Sequence, residues 1–296
     1  MTRPMDLTSN QPSIPEKTIL ITGASTGIGE AAVLHLDRLG YRVFASVRKP
    51  QDAERIASQT SARVSPLLMD IADGESIQAA VQVLREQVRE GGLSGLVNNA
   101  GIFIGGPLEY IPVKVLRKQF EVNVFGQIAL VQACLPLLRL AHGRIVFVGS
   151  TSGFLATPLL GPYAASKFAL RALADSLRNE LHAARVPVSL IEVGKVNTPI
   201  WDKALSSVDK MSGALPEGAE AYYNPMIAAT VTRAARRGQS GIPPLKVAAA
   251  IHQALAAANP KPKYLVGADA HLQALLVRVV PARVLDKLIR WQMGIG

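Results

Sequence analysis

The first strongly patterned stretch, residues 17–40, constrains the fold of this chain more than any other. It begins with a β-branched strand pattern, continues through a loop containing Gly23, Gly27 and Gly29, and ends in a helical pattern. A dinucleotide-binding turn requires strand, glycine loop and helix in this order. Glycines let the backbone approach a pyrophosphate, and the helix N-terminus attracts its charge. We therefore predict a nucleotide site rather than a mere tight turn, although the spacing G-x-x-x-G-x-G differs from the commoner G-x-G-x-x-G.

Strand and helix patterns alternate along most of the chain. Such alternation calls for a parallel sheet that is covered on both faces. We predict an α/β fold of the doubly wound Rossmann type, with helices on both faces of a parallel sheet, in a single domain with a C-terminal helical extension. The predicted units are a flexible arm at 1–16, a Rossmann domain at 17–270 with a substrate-covering insertion at 199–243, and a basic helical tail at 271–296.

The second predicted strand ends at Arg48, 19 residues after Gly29. An acidic residue roughly 20 positions past the glycines binds a ribose 2′-hydroxyl, whereas arginine suits a 2′-phosphate. We therefore favour NADP(H) over NAD(H); the alternative is that Arg48 and Lys49 are only exposed strand-end charges. Asp70, at the end of the third predicted strand, could accept a hydrogen bond from an adenine amino group.

Amides occur at two further positions of interest. The fourth predicted strand is followed by Asn98-Asn99-Ala100-Gly101, at the sheet edge where ligands bind in open α/β folds; the alternative is an amide-rich turn. Asn123 lies among apolar residues in the helical pattern 113–140, where an unpartnered amide would be unfavourable. Asn123 is therefore either a satisfied structural amide or part of a proton path. Pro136 should bend or divide this helix.

Tyr163 and Lys167 lie four positions apart at the start of a predicted helix, so both can point into one cavity. A phenol is a poor acid–base group at neutral pH, and a nearby ammonium lowers its pKa. The pair therefore predicts a tyrosine tuned for proton transfer; the alternative is an ordinary aromatic at a helix N-terminus. Ser150 stands just past the fifth predicted strand, where its hydroxyl could donate to a substrate oxygen. Ser152 is the alternative for that role.

Composition and charge exclude several classes of protein. Cys134 is the single cysteine, which excludes an intramolecular disulfide and a cysteine-based zinc site. Residues 1–16 lack the apolar core of a signal peptide. The sequence contains no uninterrupted apolar run of roughly 18 residues, so we expect no membrane-spanning helix. The net charge is +10, and residues 233–296 carry ten Lys and Arg against two Asp. A basic region can meet nucleic acid, an anionic membrane or an acidic partner, but no nucleic-acid-binding motif accompanies it, and we expect no such partner.

The tail combines an apolar stripe with interleaved arginines and lysines, and Pro281 should divide it into two short helices. Such a stripe either lies on a membrane surface or packs on its own domain or a subunit partner. In the insertion, apolar side chains could form a wall for a substrate or pack internally. The insertion residues in question are Trp201, Leu205, Met211, Tyr222, Tyr223 and Met226.

Together these motifs resemble those of the short-chain dehydrogenase/reductases, in order and in spacing, over residues 17–200. The motifs that carry the resemblance are Thr22-Gly23-Ala24-Ser25-Thr26-Gly27-Ile28-Gly29, Asn98-Asn99-Ala100-Gly101, Asn123, Ser150, Tyr163-x-x-x-Lys167 and Val196-x-Thr198. Two segments are similar to the retinol and 17β-hydroxysteroid dehydrogenase branch of this family. They are residues 261–269, beyond that stretch, and residues 43–48 within it. One departure is Val193-Gly194, where the family usually has Pro-Gly; it puts in question the rigidity of the backbone near the nicotinamide.

The resemblance implies a role for each matching residue. Tyr163 would be the general acid/base, Lys167 would lower its pKa and bind the nicotinamide ribose, Ser150 would polarise the carbonyl, and Asn123 would hold a water in the proton relay. The implied cofactor contacts are Gly23, Ser25, Thr26, Gly27, Ile28 and Gly29 around the pyrophosphate and adenosine part, Arg48 at the 2′-phosphate, Asp70 and Ile71 at the adenine, Asn98, Ala100 and Gly101 along the nucleotide, and Val196 and Thr198 at the carboxamide.

We therefore expect an NADP(H)-dependent oxidoreductase that interconverts an alcohol and a ketone or aldehyde on a small lipophilic substrate, steroid- or retinoid-like by the resemblance. A non-catalytic NADP(H) sensor on the same fold is the alternative, but it need not keep Ser150, Tyr163 and Lys167. We further expect a cytoplasmic homo-oligomer without a metal, with peripheral membrane contact through the tail as an open alternative.

Overall fold

The computed structural model of the protein describes residues 17–200 and 215–293, except for the side chains of residues 233–240. One seven-stranded parallel sheet runs through these residues, with helices on both of its faces. The strands are β1 (Thr18–Ile21), β2 (Arg42–Val47), β3 (Val64–Leu68), β4 (Gly95–Asn98), β5 (Arg144–Val148), β6 (Val188–Val193) and β7 (Lys263–Val266). The helices are α1 (Gly27–Arg38), α2 (Pro50–Gln59), α3 (Gly74–Val88), α4 (Val113–Phe120), α5 (Gly126–Leu140), α6 (Gly161–Glu180), α7 (Glu220–Ser240), α8 (Pro244–Ala256), α9 (Ala268–Val279) and α10 (Ala282–Gln292).

The strand order is β3-β2-β1-β4-β5-β6-β7, and all neighbouring strands pair in parallel. The direction of winding reverses between β1 and β4, because the chain first builds outward to β3 and then returns to the other side of β1. In open α/β sheets the crevice beyond the carboxyl ends of the strands at such a reversal is the ligand site. The predicted doubly wound fold is confirmed.

The core lies on both faces of the sheet because successive side chains of a strand point to opposite sides. Leu20 of β1 packs in the cluster beneath α3, α5 and α6. Its neighbours Ile19 and Ile21 pack in the cluster beneath α1, α2 and α8. Strands that are buried on both faces read as continuous apolar runs, as those of this chain do.

The helical stretch Val113–Leu140 differs from its prediction. Pro136 lies inside α5 without dividing it, so of the two expected outcomes, a bend or a division, the division is wrong. The interruption lies instead at Glu121–Phe125, a π-helical turn that contains Asn123. By length and composition the whole stretch could cross a membrane, and half of its most apolar window is buried inside the protein. Because α5 contributes to the core beside α3, we interpret this stretch as a core helix.

Two helices were not expected from the sequence, and part of the predicted insertion is regular. Helices α2 and α8 pack on the sheet, and α7 lies within the predicted insertion at 199–243. Residues 201–214, with Trp201, Leu205 and Met211, lie outside the described residues, as do the arm at 1–16 and residues 294–296. The expected break at Pro281 is confirmed, since it separates α9 from α10.

Candidate active site

A cavity of about 670 Å³ lies beyond the carboxyl ends of the strands. It contains almost all of the site residues named from the sequence. Those lining it are Gly23, Ser25, Thr26, Gly27, Ile28, Arg48, Asp70, Ile71, Ala100, Gly101, Ser150, Tyr163, Lys167, Val196 and Thr198. Gly29, Asn98 and Asn123 do not line it, and each has a different structural place.

The glycine turn is closed against the loop that follows β4. Gly23 has φ +65°, and a Cβ at this position would lie 2.8 Å from the Cα of Ala100. The Thr22 hydroxyl accepts hydrogen bonds from the backbone N–H groups of Asn99 and Ala100, each at 2.9 Å. The two loops at the reversal point of the sheet are therefore held together, and the N-terminus of α1 opens toward the cavity.

Gly29 is required for the close approach of α1 to the glycine turn. A Cβ at Gly29 would lie 2.2 Å from the carbonyl oxygen of Gly23 and 2.6 Å from the side-chain nitrogen of Asn99. Only a glycine lets α1 begin so close to the turn. The cofactor contact of Gly29 stays a prediction.

The nucleotide contact of Asn98 likewise stays a prediction. Asn98 is the last residue of β4, and its side chain is fully buried, with no hydrogen-bond partner for either amide atom among the described residues. The neighbouring Asn99 lines the cavity and donates from its amide to the carbonyl oxygen of Thr22 at 2.9 Å. The sequence reading ended this strand one residue early, at Val97, and so assigned Asn98 to the loop.

We call the part of the cavity beside the ends of β2 and β3 its outer end. Arg48 lies there, just after β2, and is exposed. It forms no salt bridge within the described part of the chain. A second arginine was missed in the sequence: Arg55 of α2 donates to the carbonyl oxygen of Ser25 and pairs with Glu30. Arg55 thus braces the glycine turn, while Arg48 is left with a guanidinium directed at the cavity rim. Asp70 lines the same end, and its carboxylate accepts from the backbone of Ala72 at 3.0 Å.

We call the part of the cavity beside α6 its inner end. There α6 presents Tyr163 and Lys167 to the cavity, as the four-residue spacing predicted. The Lys167 Nζ donates to the carbonyl oxygen of Val148 at 2.9 Å and lies 5.7 Å from the centre of the Tyr163 ring. Ser150 follows β5 and lines the cavity with Tyr163, and its hydroxyl lowers the pKa of the phenol. Ser152 donates its backbone N–H to the Ser150 hydroxyl at 3.1 Å. Of the two serines, Ser150 is therefore the one that acts on the phenol.

Burial dominates the ionisation of both groups. It raises the pKa of Tyr163 to about 12, against a smaller lowering by the hydrogen bond with Ser150. It lowers the pKa of Lys167 to about 8. Burial is thus the larger influence on the pKa of Tyr163, and the expected effect of Lys167 on it stays a prediction. The phenol is a held proton donor at neutral pH, and the ammonium is closer to losing its proton than an exposed lysine.

Asn123 is a satisfied structural amide, the first of its two predicted alternatives. Its oxygen accepts from the backbone N–H of Ile102 at 2.8 Å, and its nitrogen donates to the carbonyl oxygen of Ile102 at 3.0 Å and to the Ser166 hydroxyl at 3.1 Å. The side chain thereby joins the loop after β4 to α6, next to Lys167. Its role in a proton path stays a prediction.

An apolar wall at the inner end was not anticipated. Phe103 packs against Tyr163 with ring centres 5.0 Å apart. The wall also includes Ile102, Ile104, Val115 and Val122. Of the two alternatives for the insertion, internal packing describes Tyr223 and Met226, which pack with Leu159 and Ile227. Tyr222 is 74% exposed. The sequence did contain a signal for this wall: the apolar run at 102–104 directly follows the Asn-Asn-Ala-Gly motif, at the edge of the sheet where ligands bind.

Two further residues reach the cavity from the C-terminal region. Asp269 and Gln273 of α9 line it opposite the apolar wall. Neither was singled out in the sequence, where the helix was assigned to the tail. Helix α9 therefore belongs to the site.

Comparison with known proteins identifies the family of this chain. A family model described as short chain dehydrogenase matches residues 17–209. The chain is 35% identical over 274 residues to the NADPH-dependent 3-dehydrocapnine reductase of Ornithobacterium rhinotracheale, covering 91% of this chain and 94% of that protein. It is 37% identical over 279 residues to retinol dehydrogenase 5 of Mus musculus, covering 92% and 87%.

Among solved structures, a short-chain dehydrogenase/reductase from Burkholderia phymatum in complex with NAD aligns with a TM-score of 0.75 and 26% identity, over 89% of this chain and 92% of that one. The family model spans well over half of the chain, and relatives more than a third identical span nearly all of it. This chain therefore belongs to the short-chain dehydrogenase family and is similar to its retinol dehydrogenase branch.

Proposed function

We propose that this oxidoreductase uses NADP(H) to interconvert a secondary alcohol and a ketone, or an alcohol and an aldehyde, on a lipophilic, steroid- or retinoid-like substrate. The observation that carries the proposal is the arrangement of one cavity: Ser150, Tyr163 and Lys167 meet at its inner end, and the glycine turn and Arg48 lie at its outer end. A phenol beside an ammonium is suited to proton exchange at a carbonyl oxygen.

The residues present fit a nicotinamide dinucleotide. The turn at Gly23 leaves a cradle that a side chain would fill, and the N-terminus of α1 favours a pyrophosphate. Thr198 would meet the carboxamide and Asp70 the adenine. Similar proteins include one named for NADPH and one bound to NAD, so the choice of NADP(H) rests on Arg48, an exposed cation at the cavity rim that suits a 2′-phosphate.

When bound, NADP(H) supplies or accepts the hydride at the substrate carbon. The protein's own groups act on the oxygen. In the direction of reduction, Tyr163 gives its phenolic proton to the carbonyl oxygen, and Ser150 donates a hydrogen bond to the same atom. Lys167 then stabilises the phenolate until it takes a proton from solvent. Asn123 holds the loop of Ile102 and, through Ser166, the start of α6.

The apolar wall supports a lipophilic substrate, because Phe103, Ile104 and Val122 offer no hydrogen-bonding groups from their side chains. A panel of steroids, retinoids and simple ketones, assayed by NADPH consumption, tests this proposal. We expect the largest kcat/KM among the bulky apolar carbonyl compounds. Preference for small polar ketones would contradict the substrate class, and no NADPH consumption with any carbonyl would contradict the function.

We also propose that the protein is a cytoplasmic homo-oligomer that contacts anionic membranes through its C-terminal helices. We call outer stripe the six exposed apolar side chains of α9 and α10, which recur at helical spacing. They are Leu272, Leu275, Val279, Val284, Leu288 and Trp291. Arg283, Lys287 and Arg290 border the stripe on α10, and none of them has an ion-pair partner among the described residues. Apolar residues flanked by cations suit an anionic lipid surface, whereas two copies facing each other would oppose like charges.

Vesicle sedimentation tests the membrane contact. Wild-type protein should bind vesicles containing phosphatidylglycerol and bind phosphatidylcholine vesicles poorly. Leu288→Glu with Trp291→Glu should abolish binding, while the control Leu140→Glu, at an equally exposed leucine of α5, should not. Equal binding by both variants, or concentration-dependent dimerisation that is lost only with the stripe variant, would contradict it.

A further inference from the structure

The backbone that leaves β6 lines the cavity but has no proline to restrict it. Gly194 and Lys195 both contact the cavity, followed by Val196 and Thr198. Gly194 donates its N–H to the carbonyl oxygen of Val266 at 3.0 Å, as an extension of the sheet. The next N–H, that of Lys195, is bound by a side chain. The residues after it pair with Ile242, whose N–H donates to the carbonyl oxygen of Lys195 at 2.9 Å and whose carbonyl oxygen accepts from the N–H of Asn197 at 3.0 Å.

That side chain is Asp269, whose Oδ2 accepts from the Lys195 N–H at 2.8 Å. The other carboxylate oxygen is enclosed by two glycines. A Cβ at Gly194 would lie 2.2 Å from Oδ1 of Asp269, and a Cβ at Gly267 would lie 2.6 Å from the same atom. The chain thus leaves room for this carboxylate at both positions, and it does so where φ of Gly267 is +112°.

Asp269 is itself held on a fixed element. It lies in the first turn of α9, where a carboxylate is favoured by the helix N-terminus. It also lines the cavity, so the contact with Lys195 occurs at the cavity wall rather than deep in the core. A charged acceptor makes a stronger hydrogen bond to a backbone N–H than a neutral one. The bond can therefore fix the N–H of Lys195, next to the residues that pair with Ile242.

We propose that Asp269 is a positioning residue that holds the backbone at Lys195 and so sets the nicotinamide end of the cofactor site. The inference rests on the proposed function. Asp269 ties Lys195 to α9, and this contact adds to the pairing of Val196 with Ile242. Removing it should weaken binding of the nicotinamide half of the cofactor and leave the adenosine half unaffected.

The test compares Asp269→Ala with Asp269→Asn, which keeps an oxygen acceptor for Lys195. The dissociation constants of NADPH and of 2′,5′-ADP, which lacks the nicotinamide half, are measured by calorimetry. We expect Asp269→Ala to weaken NADPH about tenfold or more and to leave 2′,5′-ADP unchanged, with Asp269→Asn close to wild type. Asp286→Ala, an exposed carboxylate of α10, is the matched control and should change neither constant.

A second variant avoids altering the carboxylate. Gly194→Ala places a methyl group against Asp269 and should reproduce the selective loss of NADPH affinity. Equal weakening of both ligands in Asp269→Ala, or a lower Tm with both affinities intact, would overturn the positioning role and leave Asp269 as an anchor of α9. Failure of the wild type to bind either ligand would instead overturn the proposed function.

Discussion

Tyr163 and Lys167 occupy consecutive turns of α6, and burial acts on their ionisations in opposite directions. It raises the pKa of the phenol to about 12 and lowers the pKa of the ammonium to about 8. Each shift disfavours the charged form of its group. The phenol therefore stays protonated over the working pH range, which suits carbonyl reduction. The charge of Lys167 is the more sensitive quantity.

This difference predicts the pH dependence of reduction. Because the pKa of Lys167 is lowered to about 8, its positive charge is present below that pH and is lost above it. At saturating NADPH and substrate, kcat for reduction should be level near neutral pH and fall as pH rises through about 8. Circular dichroism over the same range controls for unfolding. A rate that stays level to about pH 10, near the ordinary lysine pKa, would contradict this role of the ammonium.

Arg48 and Lys49 are adjacent and both exposed, but only Arg48 lines the cavity. Arg48→Asp should therefore shift the ratio of kcat/KM for NADPH over NADH toward NADH by about tenfold to a hundredfold, the range expected for loss of a charge-assisted hydrogen bond. Lys49→Asp makes the same charge change one residue away and should alter the ratio little. An unchanged ratio in Arg48→Asp, or equal changes in both variants, would show that the 2′-phosphate contact is misassigned.

At the scale of elements, the π-helical turn at Glu121–Phe125 divides the helical stretch that Pro136 was expected to bend or divide. It interrupts the stretch from α4 to α5 and turns Asn123 toward the loop at Ile102. Pro136 is accommodated within α5 instead. A helical pattern indicates where a proline lies but not whether tertiary contacts compensate for it, so the position of the break could not be read from the sequence.

Truncating Asn123 should destabilise the fold. Asn123→Ala would leave the backbone N–H of Ile102 without its acceptor, whereas the carbonyl oxygen of Ile102 keeps the Gln119 amide and the Ser166 hydroxyl keeps the carbonyl oxygen of Tyr163. One unsatisfied buried group reduces the free energy of unfolding by about 1–3 kcal/mol, and we expect a loss in that range in urea denaturation. Asn179→Ala, at an exposed asparagine of α6, should change it by less than about 0.5 kcal/mol. Equal stability of Asn123→Ala and wild type would contradict the structural role.

At the scale of the whole molecule, much of the architecture followed from the sequence. Alternating patterns predicted the parallel sheet, and the residues at successive strand ends meet in one cavity because parallel strands end at one edge. Asn98 shows the limit of this reading: a boundary displaced by one residue moves a side chain from loop to core. The wall at Phe103 and the contact of Asp269 with Lys195 join segments distant in sequence, so local patterns could not reveal them.

Tyr163 exchanges a proton with the substrate oxygen, whereas the affinity for NADPH depends mainly on other residues of the cavity. The most direct measurement compares kcat of Tyr163→Phe with that of Tyr222→Phe, the matched change at an exposed tyrosine, alongside the NADPH dissociation constant of each. We predict that Tyr163→Phe lowers kcat by about 10²–10⁴ with NADPH affinity nearly unchanged, and that Tyr222→Phe behaves as wild type. Wild-type turnover by Tyr163→Phe would contradict the account.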